Sequence, residues 1–290
     1  MAMQYPEHIW HNGRIKPWAE ATVHVMAHGL HYGSSVFEGI RSYATPDGAA
    51  VFRLPEHLER MRKGAAAFGA KFNVDEAAAA VIAVLRSNHH RDAYIRPLLW
   101  YGTGSLGLDV APLSQHLMVA SMPWAPHLGE KPVRLTVSPF RRNRADAMPP
   151  LKLSGAYVNS ILAKREAGSR GFDDALFIDD AGFVVECTGV NVFLVKDGDV
   201  TAVDHPDALP GITRDTVVEL SGADSRPVTL EELLEADEVF VTGTSAELLP
   251  VAALDRRDYG ASPVANELRT RYLRIVRGGS PAHAHWLTTV

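Results

Sequence analysis

The sequence contains one cysteine, Cys187, so no disulfide can form within the chain. This scarcity is typical of proteins from a reducing compartment, and it predicts a cytoplasmic location. No apolar run approaches the roughly 18 residues that a membrane-spanning helix needs, and no secretory signal is expected. The net charge is −5 with both signs spread along the chain. Neither a nucleic acid nor a membrane is therefore predicted as a partner.

Metal-binding patterns are also lacking, although the chain has 13 histidines. None lies in an HExxH motif or at a zinc-ligand spacing with cysteine, so we predict no metal site. The chain has 290 residues, of which 46% are hydrophobic. That length and composition predict about two soluble domains, each able to bury a core.

The order of the predicted elements indicates an α+β fold with mixed and antiparallel sheets plus helices. Asn12-Gly13 lies between two short apolar runs, which predicts a hairpin. A stretch rich in proline and glycine, residues 123–132, predicts an interdomain linker. We expect a small N-terminal domain over residues 1–122 and a larger C-terminal domain over residues 133–290.

Lysine is scarce, with seven in the chain, and Lys152 differs from the others. It has no charged neighbour between Ala147 and Ile161. An amine among apolar and small residues loses hydration, which favours the neutral form that attacks an aldehyde. The alternative is a strand lysine whose ammonium group reaches solvent.

Glu186 is the second unusual charge, because it lies within the apolar run FVVECTG. A buried carboxylate needs a donor or a positive partner, and a protonated pyridine nitrogen would serve. The alternative is an edge-strand glutamate that faces water.

Three segments are candidate anion sites. Gly211 precedes a predicted helix start, and Thr244 has capping-box spacing to Glu247, so both segments offer free backbone amides. Arg60 follows a helix start, with the small residues Gly64 and Ala67 near its face to admit a ligand. The alternatives are ordinary helix caps and a solvated helix face.

Together these residues resemble the branched-chain amino acid aminotransferases, which are class IV (fold-type IV) pyridoxal-phosphate enzymes. The matching segments, in sequence order, are HYGSSVFEGIR, EHLERM, YIRP, LPGITRD and DEVFVTGTSAELLP. The separation between Lys152 and Glu186, which lie between YIRP and LPGITRD, also matches. The resemblance covers nearly the whole chain. It implies a two-domain fold like that of D-amino-acid aminotransferase, an active site at the domain interface, and a homodimer or higher homo-oligomer.

The resemblance also implies roles in binding pyridoxal 5'-phosphate. Lys152 would be the Schiff-base lysine and would move the proton during catalysis. Tyr157 would bond the phenolic oxygen, Glu186 would pair with the pyridine nitrogen, and Leu209 would pack on the ring. The residues implied around the phosphate are Arg60, Gly211, Ile212, Thr213 and Thr244.

Further residues are implied to bind amino acids and 2-oxo acids. Arg96 would meet the distal carboxylate of glutamate, and Tyr94 with the Thr244-Ser245-Ala246 turn would meet the α-carboxylate. The residues implied to line the side-chain pocket are Phe37, Tyr94, Tyr157 and Trp124. Those implied to come from the partner subunit are Tyr32, Leu106 and Leu108.

The implied activity is transfer of the amino group of leucine, isoleucine or valine to 2-oxoglutarate, a step of branched-chain amino acid biosynthesis. The chain departs from the usual family pattern at Leu153–Ala156, at Val190 and at His127. These departures lean towards the D-amino-acid and (R)-amine transaminases of the same fold. Aminodeoxychorismate lyase and a non-catalytic ligand-binding homologue are further alternatives.

Overall fold

The structure is a computed structural model that describes residues 5–123 and 131–290. Its α-helices are α1 (His28–Tyr32), α2 (Leu54–Ala67), α3 (Val74–Ser87), α4 (Tyr157–Ser169), α5 (Ile212–Ser221), α6 (Leu230–Leu234) and α7 (Pro263–Val276). Its strands are β1 (His8–His11), β2 (Arg14–Pro17), β3 (Ser35–Phe37), β4 (Ile40–Thr45), β5 (Gly48–Phe52), β6 (Ala93–Tyr101), β7 (Gln115–Pro123), β8 (Val133–Val137), β9 (Asp174–Ile178), β10 (Val184–Cys187), β11 (Asn191–Lys196), β12 (Asp199–Val203), β13 (Asp224–Arg226), β14 (Glu238–Gly243), β15 (Glu247–Leu254), β16 (Arg257–Asp258) and β17 (Leu287–Thr289). Short 3-10 turns lie at Trp18–Glu20, Ser154–Ala156 and Pro281–Trp286. None of the described helices has the length and apolar character that crossing a membrane requires.

The chain forms two compact units. The first unit holds the described residues of Met1–Ala125 together with Leu151–Gly155 and Arg274–Val290. The second holds the described residues of Pro126–Pro150 together with Ala156–Leu273.

This division differs from the predicted single boundary in two places. Lys152 belongs to the first unit, not to the C-terminal one, because its carbonyl accepts a hydrogen bond from the Phe37 N–H at 3.3 Å. The C-terminal residues also join the first unit, because β17 pairs with β5. Most of the predicted linker, residues 124–130, lies outside the described residues.

The first unit is built on an antiparallel sheet in the order β17-β5-β4-β6-β7-β1-β2, with β3 paired to β6. The predicted hairpin is present: Asn12 and Gly13 both have positive φ, 48° and 90°, as a tight β1–β2 turn requires. Helices α2 and α3 cover one face of the sheet. The core between them includes Leu58, Val81, Leu85, Ile95 and Val119.

Strand β6 alternates between buried and half-buried residues along its whole length. Ala93, Ile95 and Leu99 are buried, whereas Tyr94 and Arg96 lie on the opposite face. Side chains two residues apart in a strand share one face. The alternation along β6 therefore places Tyr94 and Arg96, which are predicted to bind substrate, on the same face of the sheet.

The second unit is built on a mixed sheet in the order β10-β9-β8-β15-β14-β11-β12-β13, with β16 paired to β15. Its central strands are buried on both faces. Val192 and Val241 pack in one core, whereas Phe193 and Phe240 stack at 4.8 Å in the other. Mixed and antiparallel sheets with helices confirm the predicted α+β class.

Helix α4 carries its larger apolar side chains on the exposed side. Val158, Ile161 and Leu162 have the spacing of a core face, yet all three are exposed in the single chain. The buried positions of this helix are the smaller residues Ser160, Ala163 and Ala167. Small residues let the helix approach the sheet closely, so the larger apolar side chains face outward.

Candidate active site

Lys152 lies in a short segment that runs along β3. The Phe37 N–H donates to the Lys152 carbonyl at 3.3 Å, and Leu153 forms an antiparallel bridge with Val36. The half-buried Lys152 ammonium group lies 5.1 Å from the centroid of the Phe37 ring. This separation is within cation–π range, so the aromatic face helps to fix where the amine points.

Two glycines hold the Lys152 segment close to the end of α1. Gly33 has φ +66°, and the Gly155 N–H donates to its carbonyl at 3.3 Å. A Cβ on Gly33 would lie 2.7 Å from Gly155 Cα, closer than real Cβ contacts come. The position of the lysine segment therefore depends on the absence of a side chain at Gly33.

Tyr94 and Arg96 form a pair beside Phe37. Arg96 donates from Nη2 to the Tyr94 hydroxyl at 2.7 Å, and its guanidinium lies 4.7 Å from the Phe37 ring centroid. The Arg96 Nε is buried and has no hydrogen-bond partner among the described residues. Gly39 leaves room for the pair, because a Cβ there would lie 2.3 Å from the Tyr94 hydroxyl. The pair offers an unsatisfied donor that suits an anionic group.

Arg60 projects from α2 towards Glu38. Its Nε and Nη2 donate to the two Glu38 carboxylate oxygens at 2.7 Å and 2.9 Å. The prediction that Gly64 leaves space for a ligand is wrong, because a Cβ on Gly64 would lie 2.7 Å from Val36 Cγ1. Gly64 is small so that α2 can pack on β3, and Ala67 is exposed.

In the second unit, Glu186 is buried, with 4% of its surface exposed. It accepts hydrogen bonds from Arg142 Nε at 2.8 Å, from the Leu209 N–H at 3.2 Å and from Asn191 Nδ2 at 3.4 Å. Arg142 is itself held by Asn159, whose Oδ1 accepts from its Nη1 at 3.2 Å. The alternative of an edge-strand glutamate facing water is therefore wrong.

Asn191 connects this carboxylate to the turn that precedes α5. Its amide donates to the Leu209 carbonyl at 3.0 Å, and a Cβ on Gly211 would lie 1.9 Å from its Oδ1. Gly211 is the N-cap of α5, as the sequence predicts, and Ile212 and Thr213 form the first turn. The first N–H groups of a helix have no partner within it, so this turn can bind an anion.

The predicted helix start at Thr244 is wrong. Thr244, Ser245 and Ala246 form the turn of a hairpin, in which Gly243 at the end of β14 pairs with Glu247 at the start of β15. Glu247 has φ +58°, as a tight turn between strands requires, so its spacing from Thr244 is not a capping box. Tyr157 is the first residue of α4.

The three residues predicted to serve a partner subunit are exposed in the first unit: Tyr32, Leu106 and Leu108. Leu106 and Leu108 lie in the loop between β6 and β7. Two side chains bind this loop: the Tyr32 hydroxyl donates to the Leu106 carbonyl at 3.2 Å, and His28 Nε2 contacts the Gly107 carbonyl at 3.1 Å. Trp124, predicted to line the substrate pocket, lies outside the described residues.

Three residues of the site are not among those predicted from the sequence: Glu38, Arg142 and Asn191. Glu38 lies within the apolar run SVFEGI, the same signal that identified Glu186, so it could have been found. Arg142 lies in the run Arg141-Arg142-Asn143-Arg144, which is typical of a solvated surface. Its partner is 44 residues away, and no local pattern indicates that contact. Among residues 5–123 and 131–290, the structure places no three potential metal ligands together.

Comparison with known proteins agrees with this arrangement. The profile of the family described as amino-transferase class IV matches residues 35–254. The branched-chain-amino-acid aminotransferase of Pseudomonas aeruginosa is 38% identical, covering 97% of each chain. That of Escherichia coli strain K12 is 36% identical, covering 100% of this chain and 99% of the other. The chain therefore belongs to the class IV aminotransferase family.

Solved structures give the same result. The T.th. branched-chain amino acid aminotransferase complexed with N-(5'-phosphopyridoxyl)-L-glutamate has a TM-score of 0.92, 42% identity and 98% coverage of both chains. The same enzyme complexed with 4-methylvaleric acid has the same TM-score and coverage. The predicted family resemblance and fold class are thus confirmed.

Proposed function

We propose that the chain transfers the amino group of leucine, isoleucine or valine to 2-oxoglutarate, with pyridoxal phosphate as cofactor. The observation that carries the proposal is the similarity, over nearly the whole chain, to enzymes named branched-chain-amino-acid aminotransferases. One solved relative binds a phosphopyridoxyl-glutamate and also 4-methylvaleric acid. An acidic ligand and an aliphatic ligand are what the two halves of this reaction require.

The residues present fit pyridoxal phosphate. A pyridine nitrogen needs a buried acid, and Glu186 is one; a phosphate needs free amides, which the α5 start offers. When bound, the cofactor supplies an aldehyde that takes up the amino group and a ring that accepts electrons from the substrate α-carbon. The side chains and backbone amides of this chain carry out the other tasks.

Lys152 is the proposed catalytic residue. Its amine would hold the cofactor covalently, and as a free amine its Nζ would carry the proton that moves during the reaction. Phe37 restricts where that amine points, since the two groups are 5.1 Å apart. Correct orientation of a catalytic group contributes strongly to rate.

The other residues proposed to bind the cofactor act through charge, hydrogen bonding or packing. Glu186 would keep the pyridine nitrogen protonated, Tyr157 would bond the phenolic oxygen, and Leu209 would pack on the ring. The proposed phosphate ligands are Arg60, Gly211, Ile212, Thr213 and Thr244. A guanidinium with helix-start amides is a common combination for holding a phosphate.

For substrates, we propose that Tyr94 and the amides of the Ser245-Ala246 turn bind the α-carboxylate. Arg96 binds the distal carboxylate of glutamate, for which its buried and unsatisfied Nε is a suitable donor. Phe37, Tyr157 and Trp124 provide apolar surface for an aliphatic side chain.

We also propose a homodimer in which Tyr32, Leu106 and Leu108 contribute to the pocket of the partner subunit. Leu108 has 81% of its surface exposed and Leu106 has 43%. Exposed apolar side chains in a group often mark an interaction surface. Light scattering should give the mass of a dimer or larger assembly, whereas a monomer with full activity would contradict this part. The cytoplasmic location stays a prediction.

A substrate panel tests the proposed function. We expect the purified enzyme to use L-leucine, L-isoleucine and L-valine with 2-oxoglutarate, and to form glutamate. D-alanine and (R)-phenylethylamine should be poor donors, and Lys152→Ala should be inactive. A preference for either of those two donors would reject the substrate assignment. Full turnover by Lys152→Ala would reject the covalent role of the lysine.

A further inference from the structure

The first unit contains a buried carboxylate that the proposed reaction does not use. Glu38 lies between β3 and β4, and none of its surface is exposed. Arg60 donates to it from Nε at 2.7 Å and from Nη2 at 2.9 Å. His57, one helical turn before Arg60, contacts the same carboxylate through Nδ1 at 2.8 Å. Two residues of α2 thus converge on one acid.

The charges in this cluster are fixed. Burial alone would raise the pKa of Glu38, but the Arg60 guanidinium and the His57 hydrogen bond hold it well below its ordinary value of 4.5. Burial lowers the pKa of His57 despite the neighbouring carboxylate, so its ring is neutral near pH 7 and donates its Nδ1 hydrogen. The cluster is therefore a carboxylate that binds both a guanidinium and a neutral imidazole.

The geometry of the Glu38–Arg60 pair fixes the guanidinium plane. Two parallel hydrogen bonds from a planar fork allow one orientation, whereas a single bond would permit rotation. An arginine side chain without such a partner has rotamer entropy to lose when it is ordered. The hydrogen bonds to Glu38 therefore order the Arg60 side chain before a ligand binds.

The cluster also lies near the lysine segment. Glu38 directly follows Phe37, whose N–H bonds the Lys152 carbonyl. The charge of Lys152 makes a small contribution to lowering the pKa of His57, after burial and the nearer charges. A buried cluster that adjoins the proposed catalytic residue is well placed to order the groups around a bound cofactor.

We infer that Glu38 is a positioning residue that holds the Arg60 guanidinium in the orientation that binds the cofactor phosphate. His57 completes the hydrogen bonding of the carboxylate. This inference rests on the proposed function, since Arg60 is a proposed phosphate ligand there. It assigns Glu38 no contact with the cofactor or with the reacting atoms.

The test compares the affinity of the apoenzyme for pyridoxal phosphate and for pyridoxal, which lacks the phosphate. Glu38→Gln should weaken pyridoxal phosphate binding about 10-fold, within the range of coupling between residues in one ion-pair network. Its affinity for pyridoxal should stay unchanged. In the Arg60→Met background, Glu38→Gln should cause no further loss. Equal losses for both ligands, unchanged pyridoxal phosphate binding, or additive effects would overturn the inference.

A matched control lies on the same helix. Glu59 receives the same two bonds from Arg62, both at 2.7 Å, but that pair is exposed. Glu59→Gln should leave both affinities unchanged, and a loss like that of Glu38→Gln would point to a general charge effect and against the inference.

A second variant covers the case in which Glu38→Gln does not fold. Glu38→Asp keeps the charge and shortens its reach, so it should lose part of the affinity for pyridoxal phosphate alone; wild-type affinity in this variant would count against positioning. Failure of the proposed function is distinguishable: without a cofactor role the wild-type enzyme would bind no pyridoxal phosphate, and a different substrate preference would leave these affinity differences unchanged.

Discussion

Replacing Gly33 by alanine should displace the segment that carries Lys152. Gly33 has φ +66°, and its missing Cβ would lie 2.7 Å from Gly155 Cα and 2.8 Å from Gly155 N. Both nearest atoms belong to backbone, so no side chain can rotate away to relieve the overlap. The segment from Leu151 to Gly155 must therefore move away from residue 33.

The structure gives the size of this effect. Ordinary contact begins at 3.4 Å, so the segment must move by about 0.7 Å. Left-handed backbone at a non-glycine residue costs roughly 1–2 kcal/mol, and overpacking typically adds about 1–3 kcal/mol. Misplacing a catalytic group by about 1 Å can lower a rate by about 10²-fold. On that basis we expect kcat with leucine to fall by about 10²-fold.

Gly69→Ala separates the two contributions. Gly69 has φ +67° and nothing within 4 Å of its would-be Cβ, so it has the backbone strain without the overlap. Both variants should lose stability in urea unfolding, but only Gly33→Ala should lose activity. Equal activity in the two variants would refute the idea that the glycine contact positions the lysine.

Three further predictions concern other buried contacts. Arg142→Met should lower the free energy of unfolding of the apoenzyme by about 3–5 kcal/mol, because it removes the guanidinium that lies against the buried Glu186 carboxylate; urea denaturation measures this, and a loss below about 1 kcal/mol, the size expected of an exposed ion pair, would contradict it. Gly211→Ala should weaken pyridoxal phosphate binding, measured by equilibrium titration, since its Cβ would lie 1.9 Å from Asn191 Oδ1; unchanged affinity would show that the turn relaxes freely. Burial lowers the pKa of His57 from its ordinary 6.5, so the unfolded chain binds this proton more readily and stability should fall as pH drops through 6.5. Thermal unfolding of His57→Asn should show a shallower fall between pH 7 and roughly 5, and an identical pH profile would count against a neutral buried ring.

Local patterns were sufficient to predict much of the fold. The hairpin at Asn12-Gly13 and the helix that begins after Gly211 both follow from short-range rules of turn and cap. The buried charge of Glu186 was visible for the same reason, because it interrupts an apolar run.

Features that depend on distant residues could not be predicted in this way. The Thr244–Glu247 spacing suits a helix cap, but pairing of β14 with β15 makes it a hairpin. The Lys152 segment joins the first unit through backbone contacts with β3, more than a hundred residues earlier in the chain. Arg142 is indistinguishable in sequence from its solvated neighbours. Tertiary pairing decided each of these cases.

The most direct test of the account is to locate the cofactor on the chain. Purified enzyme is treated with borohydride, which makes the link between the cofactor and its lysine permanent, and its peptides are then mapped by mass spectrometry. The account predicts a phosphopyridoxyl group on the peptide that contains Lys152 and on no other lysine. A label on a different lysine, or no label in an enzyme that is active with leucine, would contradict it.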